Sequence, residues 1–173
     1  YAGYKALFAA GVIEVGCMAH ARRKFFELHK ANQNPVAGEA LQRISELYEI
    51  ESRGRELANA ERQALREREA LPKLQAMQDW LQRTRDTVAD GGGLARAIDY
   101  SLKRWTALSR YAQSAILPID NNPVENVIRP IALGKKNWLF TGSERSGRSA
   151  AAIQSLLATA KLNNPEPTAW LKD

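Results

Sequence analysis

A mainly α-helical fold with a few short strands is what three features of this 173-residue chain predict. From Val36 to about Ala89 the sequence is rich in Glu, Arg, Leu and Ala, with apolar residues recurring three and four positions apart, the period of one helical face. Asn122-Pro123 followed by Glu125 reads as a helix start, because asparagine caps well and proline suits the first helical position. Only short apolar runs such as Val12-Ile13-Glu14-Val15-Gly16-Cys17, rich in β-branched residues, read as strands.

Taken in order, Tyr4 to Ala10 reads as a short helix, Val12 to Cys17 as a strand entering the core, and Met18 to Ala31 as a helix. Asn32-Gln33-Asn34-Pro35 is a turn that stops it. Leu41, Ile44, Leu47 and Tyr48 form one apolar face of the next helical stretch, and Leu57, Ala60, Ala64 and Leu65 form another. Gly54 and Asn59 mark a break between them. Leu74, Met77, Leu81 and Val88 continue at three- and four-residue steps, which predicts a helical hairpin whose arms pack on each other. Gly91-Gly92-Gly93 is a turn, and Leu94, Ile98, Leu102, Trp105 and Leu108 line a further amphipathic helix.

Ala115 to Ile119 reads as an extended segment leading to Asp120 and the Asn121-Asn122 turn, where the Asp120 side chain is expected to bond backbone groups. Trp138-Leu139-Phe140 reads as a short strand or buried loop, and Trp138 has two open readings, a core residue or a platform for an unpaired base. Ser143 to Leu162 is helical, with Ile153, Leu156, Leu157 and Ala160 expected on its buried side. Asn163-Asn164-Pro165 ends that helix, and Thr168 to Lys172 forms a last turn.

The apolar fraction of 45% is ordinary for a globular domain, and the length suffices for one sizeable core. No run approaches the roughly 20 apolar residues of a membrane span, and no signal-peptide pattern opens the chain. One cysteine excludes an internal disulfide framework. A soluble, cytoplasmic protein is the expectation. The net charge of +6 is unevenly placed. Residues 1 to 35 carry five basic and two acidic side chains, and residues 36 to 115 carry thirteen and twelve. Towards the C-terminus Arg129, Lys135, Lys136, Arg145 and Arg148 have Glu144 as their near counter-charge, a distribution suited to a polyanion and equally to ordinary solubility.

Glu125 carries the sharpest chemical question. A carboxylate in the first turn of a helix can ligate a metal, and Asn122 with Glu125 three residues later also fits a capping box. Arg129 lies one turn on, on the same face. Cys17-Met18-Ala19-His20 looks like half a zinc site, but one cysteine and two histidines fall short of the usual four ligands. A phosphate-binding glycine loop and a nucleophile elbow are absent from the sequence.

Gly16-Cys-Met-Ala-His20-Ala-Arg-Arg-Lys24, Asp120-Asn-Asn-Pro-Val-Glu125-Asn-Val-Ile-Arg129-Pro130 and Ala132 to Ser143 together resemble the DDE transposases of the insertion-sequence-sixty-six family. The resemblance runs nearly the whole length of the chain and ends in Ala160 to Asn163 and Ala169-Trp170-Leu171. One departure is Met18, where the family usually has tryptophan. The resemblance implies the C-terminal part of an RNase-H-like α/β core interrupted by a long α-helical insertion. Residues 1–35 would be core after the second catalytic aspartate, 36–115 the insertion, and 116–173 core with the glutamate helix and a C-terminal element. It implies Glu125 as third acid and ligand for Mg2+ or Mn2+. It also implies DNA as partner, both element ends and target, with self-association in a bacterial transposition complex.

Tyr1-Ala2-Gly3-Tyr4 matches the segment that follows the family's second aspartate. The expectation is therefore a fragment, inactive alone, holding Glu125 but neither aspartate. His20, Arg22, Arg23, Lys24, Arg129, Lys135, Lys136, Arg145 and Arg148 are the candidate DNA contacts. The alternative is a non-catalytic helical module for DNA binding or oligomerisation.

Overall fold

Helical periodicity and local stop signals set most elements of the structure, a computed structural model that describes residues 8–138, 142–164, 166–170 and 172, apart from the side chains of 131, 135–138 and 168. Helix α1 (Met18–Asn32) starts from extended Cys17 and ends where Gln33 turns left-handed at φ 52°, its N–H donating to the His29 carbonyl. Asn34 then caps α2 (Pro35–Gly54): its Oδ1 accepts from the Ala37 N–H at 2.9 Å, with Pro35 in the first turn. The predicted break follows at Gly54. Helix α3 (Asn59–Leu65) runs through a π-helical turn (Arg66–Ala70) into α4 (Leu71–Thr87). Pro72, near the start of α4, cannot donate a backbone hydrogen bond, and the wider turn sits just before it, where the Leu71 N–H reaches back five residues to Arg66. Gly91 turns the chain at φ 78°, a conformation that favours glycine. Helices α5 (Gly93–Lys103) and α6 (Trp105–Ser109) and a 3-10 turn (Arg110–Gln113) follow.

The chain divides into two compact units, Tyr1–Asn121 and Asn122–Asp173. In the first, α1 packs on α2 and α5, while α4 packs on α5 and α2, closing a ring of four helices around one core. Phe25 of α1, Ile44 and Leu47 of α2, Leu74, Met77 and Leu81 of α4, and Ile98 of α5 fill it, joined at one end by Leu108 and Tyr111. The arms α2 and α4 do pack on each other as the hairpin reading expects, and α1 and α5 close the ring.

The second unit contains α7 (Asn122–Trp138), α8 (Glu144–Leu162) and α9 (Pro167–Trp170). Helix α7 carries Pro130 in its interior. Ser143 caps α8, its Oγ accepting from the Ser146 N–H at 3.1 Å, and α9 packs on α8. Among the described residues, no helix is long and apolar enough to cross a membrane.

Several expectations are corrected. No strand is found among the described residues, so the fold there is helical and no sheet of an RNase-H-like core is seen. Residues 12–17 are extended, but Gly16 donates to the Ala107 carbonyl of α6 at 2.8 Å instead of pairing with a strand. A Cβ at Gly16 would stand 2.8 Å from the Leu108 backbone nitrogen, so the close approach requires glycine. Leu94 to Leu108 is two helices, broken at Arg104. Ala60 and Ala64 are exposed, and only Leu65 of that expected face is buried. On α8 Ala160 is buried and Leu157 half-buried, whereas Ile153 is 53% exposed and Leu156 nearly as much. An apolar period predicts a face, but not whether another element covers it. Residues 4–7 of the first expected helix, and Leu139 and Phe140, lie outside the described residues.

Arg66, 3% exposed, ties the bundle together. Its Nε and Nη2 donate to the Glu51 carboxylate of α2 at 2.9 and 2.5 Å, and Nη1 donates to the carbonyls of Tyr111 and Ser114. The guanidinium also lies over the Tyr111 ring, 5.3 Å from its centroid. Arg66→Met keeps the apolar stem but leaves Glu51 and two carbonyls unpaired, so a loss of about 3 kcal/mol is expected in urea unfolding. Lys73→Ala, which removes an exposed pair with Glu46, should cost less than about 1 kcal/mol. Equal losses in the two variants would show that the Arg66 network does not bear this load.

Candidate nucleic-acid interface and the Glu125 helix

Residues separated by up to 104 positions meet just before the Glu125 helix. Cys17, half-buried, sits at the start of α1, and its Sγ accepts from the Asn121 N–H at 3.5 Å. The Met18 N–H, one of the donors left over at a helix start, is satisfied by the Ile119 carbonyl at 3.0 Å. Asp120, only 8% exposed, accepts a 2.8 Å hydrogen bond at Oδ2 from the Tyr48 hydroxyl of α2. The Cys17-x-x-His20 segment and Ile119-Asp120-Asn121 thus form one clasp at the end of the first unit. Asp120 was expected to serve the local turn. Its side chain also reaches a tyrosine 72 positions away, a partner that no local pattern could indicate.

Upstream of the clasp the segment is held by side chains of α3 and the π turn. Arg62 donates to the Ala115 carbonyl at 3.2 Å and also to the carbonyls of Gly54, Arg55 and Leu57 at the end of α2, where unpaired acceptors and a negative dipole end gather. Arg66 holds Tyr111 and Ser114, as described above. Residues 111–121 are fixed at both ends, and α7 starts from the second.

Glu125 lies in the first turn of α7 and is exposed, with Arg129 one turn on, also exposed. On α1, His20 is half-buried in the first turn, its N–H donating to the Cys17 carbonyl at 3.2 Å, and Arg22, Arg23 and Lys24 are exposed. Arg22 lies 5.6 Å from the Phe26 ring centroid and Lys24 4.6 Å from that of Tyr100. Arg145 is exposed on α8, and Arg148 pairs with Glu144 at 2.7 Å one turn away. Lys135, Lys136 and Trp138 fall on the α7 backbone, and their side chains lie outside the described residues. The cations of α1 belong to the first unit, those of α7 and α8 to the second. No group of three or more His, Cys, Asp or Glu that could hold a metal ion occurs among the described residues. A hard divalent ion wants several oxygen ligands, so the described residues alone do not fit one.

Burial first, then the hydrogen bond to Asp120, pushes the Tyr48 phenol above the ordinary tyrosine range, and burial does the same to Tyr111. The fold therefore favours the neutral phenols. Their contribution is complete below about pH 10 and is lost as the pH rises from there towards the folded values. Tyr48→Phe should cost about 2 kcal/mol near neutrality, the value of a hydrogen bond to a charged partner, and should soften the alkaline loss of stability. Urea unfolding at about pH 8 and pH 10.5 checks both; a variant that loses stability as steeply as the wild type argues against the Tyr48 assignment.

Comparison with known proteins points the same way as these motifs. The chain is 37% identical over 169 residues to the uncharacterized protein y4hP of Sinorhizobium fredii, covering 91% of this chain and 31% of that protein. It is 34% identical over 157 residues to the uncharacterized protein y4jD of the same organism, again covering 91% of this chain and 31% of the relative. The chain thus spans about a third of the length of the curated relatives it matches. No solved structure matches it. The model of the Transposase IS66 family matches residues 1–149, and the chain belongs to that family.

Proposed function

We propose that this chain is part of a DDE transposase that cuts DNA and joins the cut strand to a target by phosphodiester transfer, with Glu125 as the third acid. The observation that carries the reading is the clasp. The Cys17-x-x-His20 segment and the Asp120-Asn121 segment, far apart in sequence, are joined immediately before the helix that bears Glu125. Membership of a transposase family supports it. In this reading the sheet of an RNase-H-like core and two further acids come from the rest of the protein, and Mg2+ or Mn2+ is the expected cofactor. DNA is the partner, and the bacterial cytoplasm the setting.

The roles of this chain's own groups follow from charge and position. Glu125 offers an exposed anionic oxygen pair at the start of α7, and Arg129, one turn along, supplies a positive charge on the same face. His20, Arg22, Arg23 and Lys24 on one unit, and Lys135, Lys136, Arg145 and Arg148 on the other, would meet phosphate oxygens, which position DNA without reading its sequence. A non-catalytic module for DNA binding or oligomerisation is the second reading. It is favoured by exposed apolar residues along α7 and α8, including Val124, Val127, Ile128, Ile153 and Leu156.

Glu125→Gln in the full-length protein separates the readings. Glutamine can still close a capping box, so thermal stability should hold to within about 0.5 kcal/mol. It cannot supply the charge a hard cation needs, so transposition should fall to background. Transposition at the wild-type level would refute the catalytic role and leave the module.

A further inference from the structure

One end of the four-helix unit carries an excess of positive charge that the reading above does not use. Residues 36–102 hold ten basic and twelve acidic side chains, and many of the cations are paired, among them Arg43 with Glu39, Arg53 with Glu69, Arg66 with Glu51, Lys73 with Glu46 and Arg85 with Asp99. Residues 103–110 hold three basic side chains and no acidic one. Lys103, Arg104 and Arg110 line one open cleft of about 330 Å³ together with Val12, Ile13 and Glu14 of the extended segment.

The cleft is organised as well as charged. Arg104 pairs with the Glu14 carboxylate and lies over the Tyr100 ring, 5.6 Å from its centroid. Lys24 of α1 reaches the same ring at 4.6 Å, so Tyr100 contacts two cations, one from α1 and one from the α5–α6 junction. Arg110 donates to the Glu14 main-chain carbonyl, a contact that leaves its charge uncompensated. Glu14 is the acidic residue among those lining the cleft, set against three cations.

We propose that this cleft is a second binding site for the sugar–phosphate backbone of DNA, with Arg104, Arg110 and Lys103 as phosphate contacts, Lys24 extending the track, and Glu14 the anion that a phosphate displaces from Arg104. It rests on the DNA-directed reading above and adds residues outside the α1 and α7–α8 sets. Cations gathered on a rigid element neutralise successive phosphates and release counterions, so affinity falls steeply with salt. Lys103, Arg104 and Arg110 come from one end of α5, the junction with α6 and the 3-10 turn, and Gly16 pins the facing segment against α6. The spacing of the charges is therefore built into the bundle.

The test is fluorescence anisotropy of the 173-residue chain with a labelled duplex of arbitrary sequence at several salt concentrations. Two variants should move in opposite directions. Lys103→Ala with Arg110→Gln should weaken binding several-fold and lower the salt slope by about one for each phosphate that is no longer neutralised. Glu14→Gln removes the anion and should tighten binding, although it also removes an ion pair and so cannot raise stability; a purely structural role for Glu14 predicts the reverse, weaker binding along with weaker folding. Melting curves for both variants keep the comparison to folded protein. Unchanged affinity and slope in both variants, with weaker binding in Arg22→Ala and Arg23→Ala, would overturn the cleft and leave the DNA-directed reading. Absence of duplex binding by the wild type at low salt would overturn both. Inorganic phosphate or polyglutamate that displaces DNA better than chloride at equal ionic strength would assign the cleft to small anions or acidic peptides instead, and would overturn it as a backbone site.

Discussion

Burial of the Arg66 guanidinium is the constraint on which much of the first unit depends. A charge almost removed from water is tolerable only if its donors are satisfied and an anion lies beside it. Glu51 supplies the anion from α2, and the carbonyls of Tyr111 and Ser114 take the remaining directed donors. The anion and the carbonyls come from two different stretches of chain, so meeting the needs of one side chain also sets where α2, the π turn and the 3-10 turn stand. The π turn makes this possible by widening the helix where Arg66 turns inward, in front of a proline that could not have donated a helical hydrogen bond in any case.

The same logic extends along the chain to the Glu125 helix. Arg66 and Arg62 hold residues 111–115, and the clasp of Cys17, Met18 and Tyr48 holds residues 119–121. A stretch without a long helix of its own is thus tethered by polar contacts from several other elements. Such a segment is stiff for a physical reason, since its buried acceptors would be unpaired if it moved. In a family whose name is transposase, the last residues before the helix that carries the candidate acid are held by the first unit.

Surface charge follows two regimes. Over most of the bundle acidic and basic side chains alternate and pair across helices, which adds solubility and a little stability. At the end formed by α5, α6 and the extended segment this balance lapses, and cations gather around Tyr100 and Glu14. Pairing explains the first regime. It does not explain the second, where the charges exceed their partners.

Much of this protein was legible in the sequence, because the signals involved are local. The helices α1, α2 and α4, the stop within residues 32–35, the break after Gly54 and the turn at Gly91 each follow from periodicity or from residues within a few positions of one another. The placement of Glu125 in a first turn was equally readable from Asn122 and Pro123. What the tertiary structure alone decided is which partner each face and each polar group found. Residues 12–17 have the composition of a strand yet dock on α6, because no strand lies beside them among the described residues and Gly16 lets the Ala107 carbonyl approach. Asp120 meets Tyr48, Arg66 meets Glu51, and Arg104 meets Glu14, across 72, 15 and 90 positions respectively. Ile153 and Leu156 keep a helical period and remain exposed. Local pattern determines what a segment can form, and burial, which depends on the rest of the chain, determines what it meets.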